Sequence, residues 1–365
     1  MASSLNRVKS RFFIIPSLSL ILLAFTWEQA LALPVLLLAG AAMVFSVFTA
    51  VHHAEVVALK VGEPFGSLIL AVAVTVIEVG MIVILMLDDP AENLDLARNT
   101  VFAAVMITTN LIIGGSLLIK TIKNRVATFN PEGVVGALSA LAALSVLSLV
   151  LPTFTVSSPG PTFTPTQLWI AAITSLIIYL TFVGVQTVRH RDYFLPPPKA
   201  EIAQTVEAHV EPPKTSVAIW SLVGLAGSLV GVVGLAKVSS PLIKGVVYEL
   251  GFPQMVVAVS IAVIVLLPES ISAFNAARFG RTQTSLNLGL GSALASIGLT
   301  IPVIAILSAY LGLSVNLGLG PTEMVFLFLT LIVTALTLIP GRATLLQGVI
   351  HLCIFGAFMM VVFLP

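Results

Sequence analysis

The sequence predicts an all-α polytopic membrane protein of about eleven helices: an extra N-terminal helix followed by two inverted five-helix repeats. Three observations carry this. The 365 residues are 58% hydrophobic and 9% charged, which does not fit a water-exposed surface. Eleven crossings at ~20 residues each use about 60% of the chain, close to its apolar fraction. The cationic residues also segregate strongly between alternate loops.

The apolar runs read as helices at 12–26, 31–51, 65–87, 99–119, 133–151, 167–188, 215–236, 253–276, 284–311, 323–339 and 343–363. Arg7, Lys9 and Arg11 precede the first run as in a secretion signal, but no small-residue cleavage pattern follows, so residues 1–30 read as a retained helix. The segment 189–214, with Pro196-Pro197-Pro198 and Pro212-Pro213, reads as a cytoplasmic tether between two repeats, 31–188 and 215–365. With a cytoplasmic N-terminus, the inner loops collect fourteen of the seventeen Lys and Arg residues, and the outer loops hold Arg98, Lys237 and Lys244. The chain is therefore expected to lie N-in, C-out.

Five helices on each side of the tether force the two halves to enter the bilayer from opposite faces, the arrangement that puts a ligand near the midplane between repeats. Each half has a β-branched apolar helix reaching a carboxylate, Glu78 in one and Glu269 in the other. A charge at that depth costs at least ~2.5–3.5 kcal/mol on insertion scales. It therefore needs a proton, a cation or a watery cavity. A converging pair can hold one divalent cation or two protons at nearly equal net charge, so occupancy is mutually exclusive.

Calcium takes six to eight oxygens and two glutamates supply at most four, so further ligands are required. Candidates are Thr75, Asn110, Ser270, Ser292 and Ser296, with Gly80 nearby and Pro268 able to free a helical carbonyl. The competing reading is that a glutamate stabilises helix packing while protonated.

Lesser candidates have blander readings. His52, His53 and Glu55 sit at the inner end of the second helix, as gating or pH-sensing groups or simply as a solvated helix end. Asp88, Asp89, Glu92 and Asp95 form an outer acidic stretch, either an electrostatic funnel or a screened loop. His351 and Cys353 are expected to pack, Glu323 to sit at the interface, and Glu201 to Glu211 to be a tether. Near-zero net charge argues against nucleic acid as a partner, and one cysteine excludes an internal disulfide.

The stretch from His52 through Lys60 to Gly66, leading to Thr75-Val76-Ile77-Glu78, resembles the first α-repeat of the calcium/cation antiporter superfamily. The resemblance is closest to its bacterial calcium/proton antiporters, including the sodium-and-potassium-tolerant type. Leu267-Pro268-Glu269-Ser270, Asn275 to Arg278, and Gly289 to Ser296 resemble the second α-repeat. The resemblance spans nearly the whole chain. It implies alternating access, one transport glutamate per repeat at Glu78 and Glu269, and no cofactor beyond the transported calcium and protons. Where the superfamily often has Asn in Gly-Asn-Ala-x-Glu this chain has Thr75 and Leu266, and Ala295 replaces a common Gln, which keeps sodium or potassium open as cargo. The rivals are a passive cation channel and, with no histidine pair or aspartate dyad in the core, a much weaker case for an intramembrane hydrolase.

Overall fold

Long apolar stretches in a bilayer must satisfy their backbone internally, and among the described residues the chain does so with eleven long helices. They are α1 (Ala2–Thr26), α2 (Leu33–Val61), α3 (Phe65–Asp88), α4 (Leu96–Asn124), α5 (Pro131–Phe154), α6 (Pro165–Arg189), α7 (Thr215–Glu249), α8 (Met255–Arg278), α9 (Thr282–Leu311), α10 (Pro321–Leu338) and α11 (Leu345–Phe363). This computed structural model describes residues 2–29, 31–62, 65–89, 93–196, 213–312 and 315–364, without the side chains of 2–12, 65, 67 and 68. Among the described residues, α2 to α11 are long and apolar enough to cross a membrane, and α1 contributes the shorter apolar run Phe13–Thr26. Glu92, Lys199 and the Glu201–Glu211 tether lie outside the described residues.

Local chemistry sets many boundaries. Pro131, Pro165 and Pro321 occupy first-turn positions, where a missing N–H costs nothing. Asn130 caps α5 by accepting from the Glu132 N–H at 3.1 Å, and Thr164 with Gln167 and Thr344 with Gln347 form capping boxes. α9 ends on Gly312 in the left-handed region, φ 64°. Two three-residue strands, β1 (Val126–Thr128) and β2 (Arg342–Thr344), pair antiparallel with Ala127 opposite Ala343. The sequence reading has no strands there.

The helices cluster into two compact units, residues 1–93 with 210–268, and 94–209 with 269–365. Each unit draws on both sides of the tether, and the division cuts α8 between Pro268 and Glu269.

In the first unit α7 packs on α1, α2 and α3. Gly224, Gly231 and Gly234 share one face of α7 at helical spacing, and small residues there let backbones approach without a hydrophobic drive to association. A Cβ on Gly224 would strike the His53 ring, one on Gly234 the Leu23 side chain, and one on Gly231 would lie 3.3 Å from Ser19 Cβ. Ser19 and Ser46 hydroxyls meet across α1 and α2 at 2.7 Å. At one end, Lys237 stacks over Trp27 at 4.9 Å and Lys244 pairs with Asp89 at 3.5 Å.

In the second unit α9 packs on α4, α5 and α6, and α11 on α4. Its loops fall into two sets. One is tied by Arg98 Nη1 donating to Gly318 O (2.7 Å), Asn316 Nδ2 to Asp95 Oδ1 (2.9 Å) and Thr153 Oγ1 to Leu319 O (2.9 Å). The other is tied by β1–β2, by the Asn130 N–H donating to Gln283 Oε1 (2.7 Å) and by Asn287 Nδ2 donating to Phe194 O (2.8 Å). Lys123, Arg125, Arg191, Arg281 and Arg342 belong to the second set and Arg98 to the first.

Candidate functional site

Glu78 lies deep in α3, 2% exposed, with Thr75 one turn before it on the same face and also buried. A Cβ on Gly80 would come within 2.5 Å of Val233, so α3 and α7 are in close contact two residues beyond the carboxylate. The helix runs unbroken through this region. A charged side chain buried on an apolar helix is an expensive feature, which makes it a functional candidate.

Glu269 begins the second unit's part of α8. It follows Pro268, whose missing N–H leaves a helical carbonyl without its usual donor. The side chain is half-buried, and Glu269 Oε2 accepts a hydrogen bond from the Ser292 hydroxyl of α9. Ser296, one turn farther along α9, and Ser270, next to the carboxylate, are both buried. Glu269 and Ser292, two of the expected residues, are thus joined directly. Among the described residues no three His, Cys, Asp or Glu side chains gather, so hydroxyl and carbonyl oxygens would have to complete any cation shell.

Asn110 is placed differently from the expectation of a cation ligand. It sits in a π-helical turn, Ile107–Ile112, that interrupts α4, a type of bulge frequent at functional positions. Thr108 and Thr109 in this turn fold back onto Ala104 O and Val105 O. The Asn110 amide instead reaches outward: Nδ2 donates to Thr330 Oγ1 of α10 (2.9 Å), and Oδ1 lies 3.0 Å from His351 Nδ1 of α11. His351 Nε2 is 3.2 Å from Thr337 Oγ1. All four residues are buried. The expectation that His351 merely packs is corrected here, because both ring nitrogens are in a polar network.

Sequence reasoning missed this network, since its members lie up to 241 positions apart. One signal was present: Thr330, Thr334 and Thr337 form a polar stripe at helical spacing on an otherwise apolar α10, and all three are buried.

The histidine pair of α2 also needs correction. α2 continues to Val61, so His52, His53 and Glu55 are inside the helix and not at its end. His53 is 1% exposed, its ring 4.9 Å from that of Phe13 and packed where Gly224 leaves room, so a solvated terminus does not describe it. His52 is half-buried and Glu55 exposed. The acidic stretch from Asp88 to Asp95 is partly neutralised, with Asp95 paired to Arg98 at 3.2 Å and Asp89 to Lys244.

Residues 31–188 and 220–364 match the family described as sodium/calcium exchanger protein. A Sinorhizobium fredii (strain NBRC 101917 / NGR234) protein named as an ionic transporter is 43% identical over 356 residues, spanning 97% of this chain and 96% of its own length. The sodium-potassium/proton antiporter ChaA of Escherichia coli (strain K12) is 30% identical over 362 residues, 98% and 97% of the two chains. Native YfkE shares the fold with a TM-score of 0.71 at 18% identity, over 97% of this chain and 100% of its own. The H+/Ca2+ exchanger CAX does so at 0.70 and 15%, over 98% and 89%.

Proposed function

We propose, from the premise that this chain belongs to the sodium/calcium exchanger protein family, that it exports cytoplasmic calcium in exchange for protons by alternating exposure of a site built on Glu78 and Glu269. The family is one of membrane antiporters, and the chain has their all-helical, inverted-repeat fold. The observation that carries the residue assignment is the pairing of Glu269 with the Ser292 hydroxyl, a neutral donor that leaves the carboxylate's charge for a proton or a metal to neutralise. Glu78, buried on α3 with Thr75 on its face, supplies the counterpart from the other repeat.

Two further features support a two-repeat reading. The family match falls in two stretches that nearly coincide with the proposed halves, 31–188 and 215–365. Each compact unit takes its helices from both halves: α2 and α3 cluster with α7 and the first part of α8, and α4 to α6 with α9 to α11. In this reading the extra helix α1 lies outside the repeats, the N-terminus is cytoplasmic and the C-terminus external. The membrane is the bacterial inner membrane.

A second reading, exchange of sodium or potassium for protons, is favoured by the name of the Escherichia coli relative and by the engagement of the Asn110 amide, which leaves one fewer amide oxygen for calcium. Everted vesicles holding an imposed pH gradient decide between them. Calcium alone dissipating the gradient supports the first reading, sodium or potassium doing so supports the second, and cation flux indifferent to the gradient indicates a passive pore. Glu78→Gln and Glu269→Gln are each expected to abolish exchange in protein that inserts normally, and normal exchange by either variant removes that residue from the mechanism.

A further inference from the structure

His351 is an ionisable side chain with no solvent exposure, and carboxylate-based exchange has no use for it. The hydrogen bonds around it have one consistent direction. Asn110 Nδ2 can only donate, and it does so to Thr330 Oγ1, whose own hydroxyl donates to Met106 Sδ at 3.5 Å. Asn110 Oδ1 therefore faces His351 Nδ1, which must carry the hydrogen. His351 Nε2 is left to accept from the Thr337 hydroxyl. A neutral imidazole thus satisfies every member of the network, and such closed buried networks hold one geometry firmly.

That geometry fixes the π turn of α4. A π turn is rare within an α-helix, and side-chain ties to α10 and α11 help to maintain this one. α4 and α11 approach closely beside the imidazole, because a Cβ on Gly114 would come within 2.6 Å of His351 Cβ. The same turn bears on α9. A Cβ on Gly289 would lie 3.3 Å from the Thr108 carbonyl oxygen and 3.2 Å from Ile113 Cγ1, so the glycine is what admits the bulge. Gly289 is three residues before Ser292, on the same side of α9, and Ser292 donates to Glu269.

We propose that His351 is a positioning residue for Glu269: through Asn110 it holds the π turn against Gly289, and so sets where Ser292 presents its hydroxyl to the carboxylate. This rests on the reading of Glu269 as a transport carboxylate.

The test is exchange by the purified full-length protein in proteoliposomes, with calcium, sodium and potassium each titrated and rates normalised to inserted protein. For the cation transported, His351→Leu is expected to raise KM about tenfold, with a smaller change in maximal rate. His351→Asn, which puts an amide nitrogen near the position of Nδ1, is expected to bring KM back to within about twofold of wild type. Thr330→Val cuts the other end of the Asn110 amide and should raise KM as well, and combining it with His351→Leu should add little, because both act on one turn. A wild-type KM in His351→Leu overturns the proposal, as does His351→Asn being as impaired as His351→Leu. If His351→Leu does not insert, a wild-type KM in Thr330→Val overturns it too. Full exchange by Glu269→Gln would instead strike the Glu269 reading itself.

Discussion

Replacing Ser292 by alanine removes a donor to Glu269 while leaving α9 intact, since alanine is the strongest helix former. A hydrogen bond to a charged group contributes ~1.5–3 kcal/mol. Glu269 is half-buried, so screening and replacement by water place the loss at the lower end, about 1.5 kcal/mol, or roughly tenfold in apparent cation affinity. The next turn is tightly filled: Gly298, six residues on, faces the Tyr179 ring, so α9 cannot slide to bring Ser296 into the vacated position without a clash. Ser292→Thr retains the hydroxyl and is expected to keep most of the affinity. The assay is cation-dependent collapse of a pH gradient in everted vesicles, titrated with each candidate cation. A wild-type half-saturation concentration in Ser292→Ala would refute the reasoning, because the hydroxyl would then have no part in presenting Glu269.

Three other expectations follow from packing and pairing. Gly348→Val places a side chain whose Cβ would lie 2.8 Å from the Leu118 backbone nitrogen, an overpacking of about 1–3 kcal/mol that should lower the melting temperature in detergent; an unchanged melting temperature would show that α4 and α11 do not pack this way. In a Cys353→Ser background, Thr128→Cys with Arg342→Cys should form a disulfide, since these positions face each other in the ribbon, and each single cysteine should react with an impermeant thiol reagent only from the cytoplasmic side; labelling from outside would reverse the topology. Arg98→Gln severs the charged bonds to Gly318 O and Asp95 and should make residues 315–320 more sensitive to protease, whereas wild-type resistance would mean the tie is dispensable.

Much of the fold was legible because a bilayer imposes a one-dimensional rule. The apolar runs 133–151 and 167–188 became α5 and α6 with a few residues added at each end, and those added at the start are the ones that the N-caps Asn130 and Thr164 bring in. The reading failed where a helix outlasts its apolar run. α2 continues ten residues past the expected end at 51, because His53 is accommodated against α7 and Phe13 and does not have to face water. The same holds for α7, which runs to Glu249 with Lys237 and Lys244 held by Trp27 and Asp89.

By itself the sequence determined that the chain is a helical, multi-pass membrane protein, and it singled out Glu78 and Glu269 as carboxylates within apolar runs, since hydropathy, cap residues and the position of a carboxylate are properties of short stretches. Only the tertiary structure decided that Ser292 meets Glu269, that Asn110 answers to Thr330 and His351, and that the helices regroup into units that ignore the tether. The physical reason is that a buried polar group must find a partner wherever helices cross, and the crossing points depend on glycines such as Gly114, Gly224 and Gly289 whose close approaches become visible only once the helices are packed.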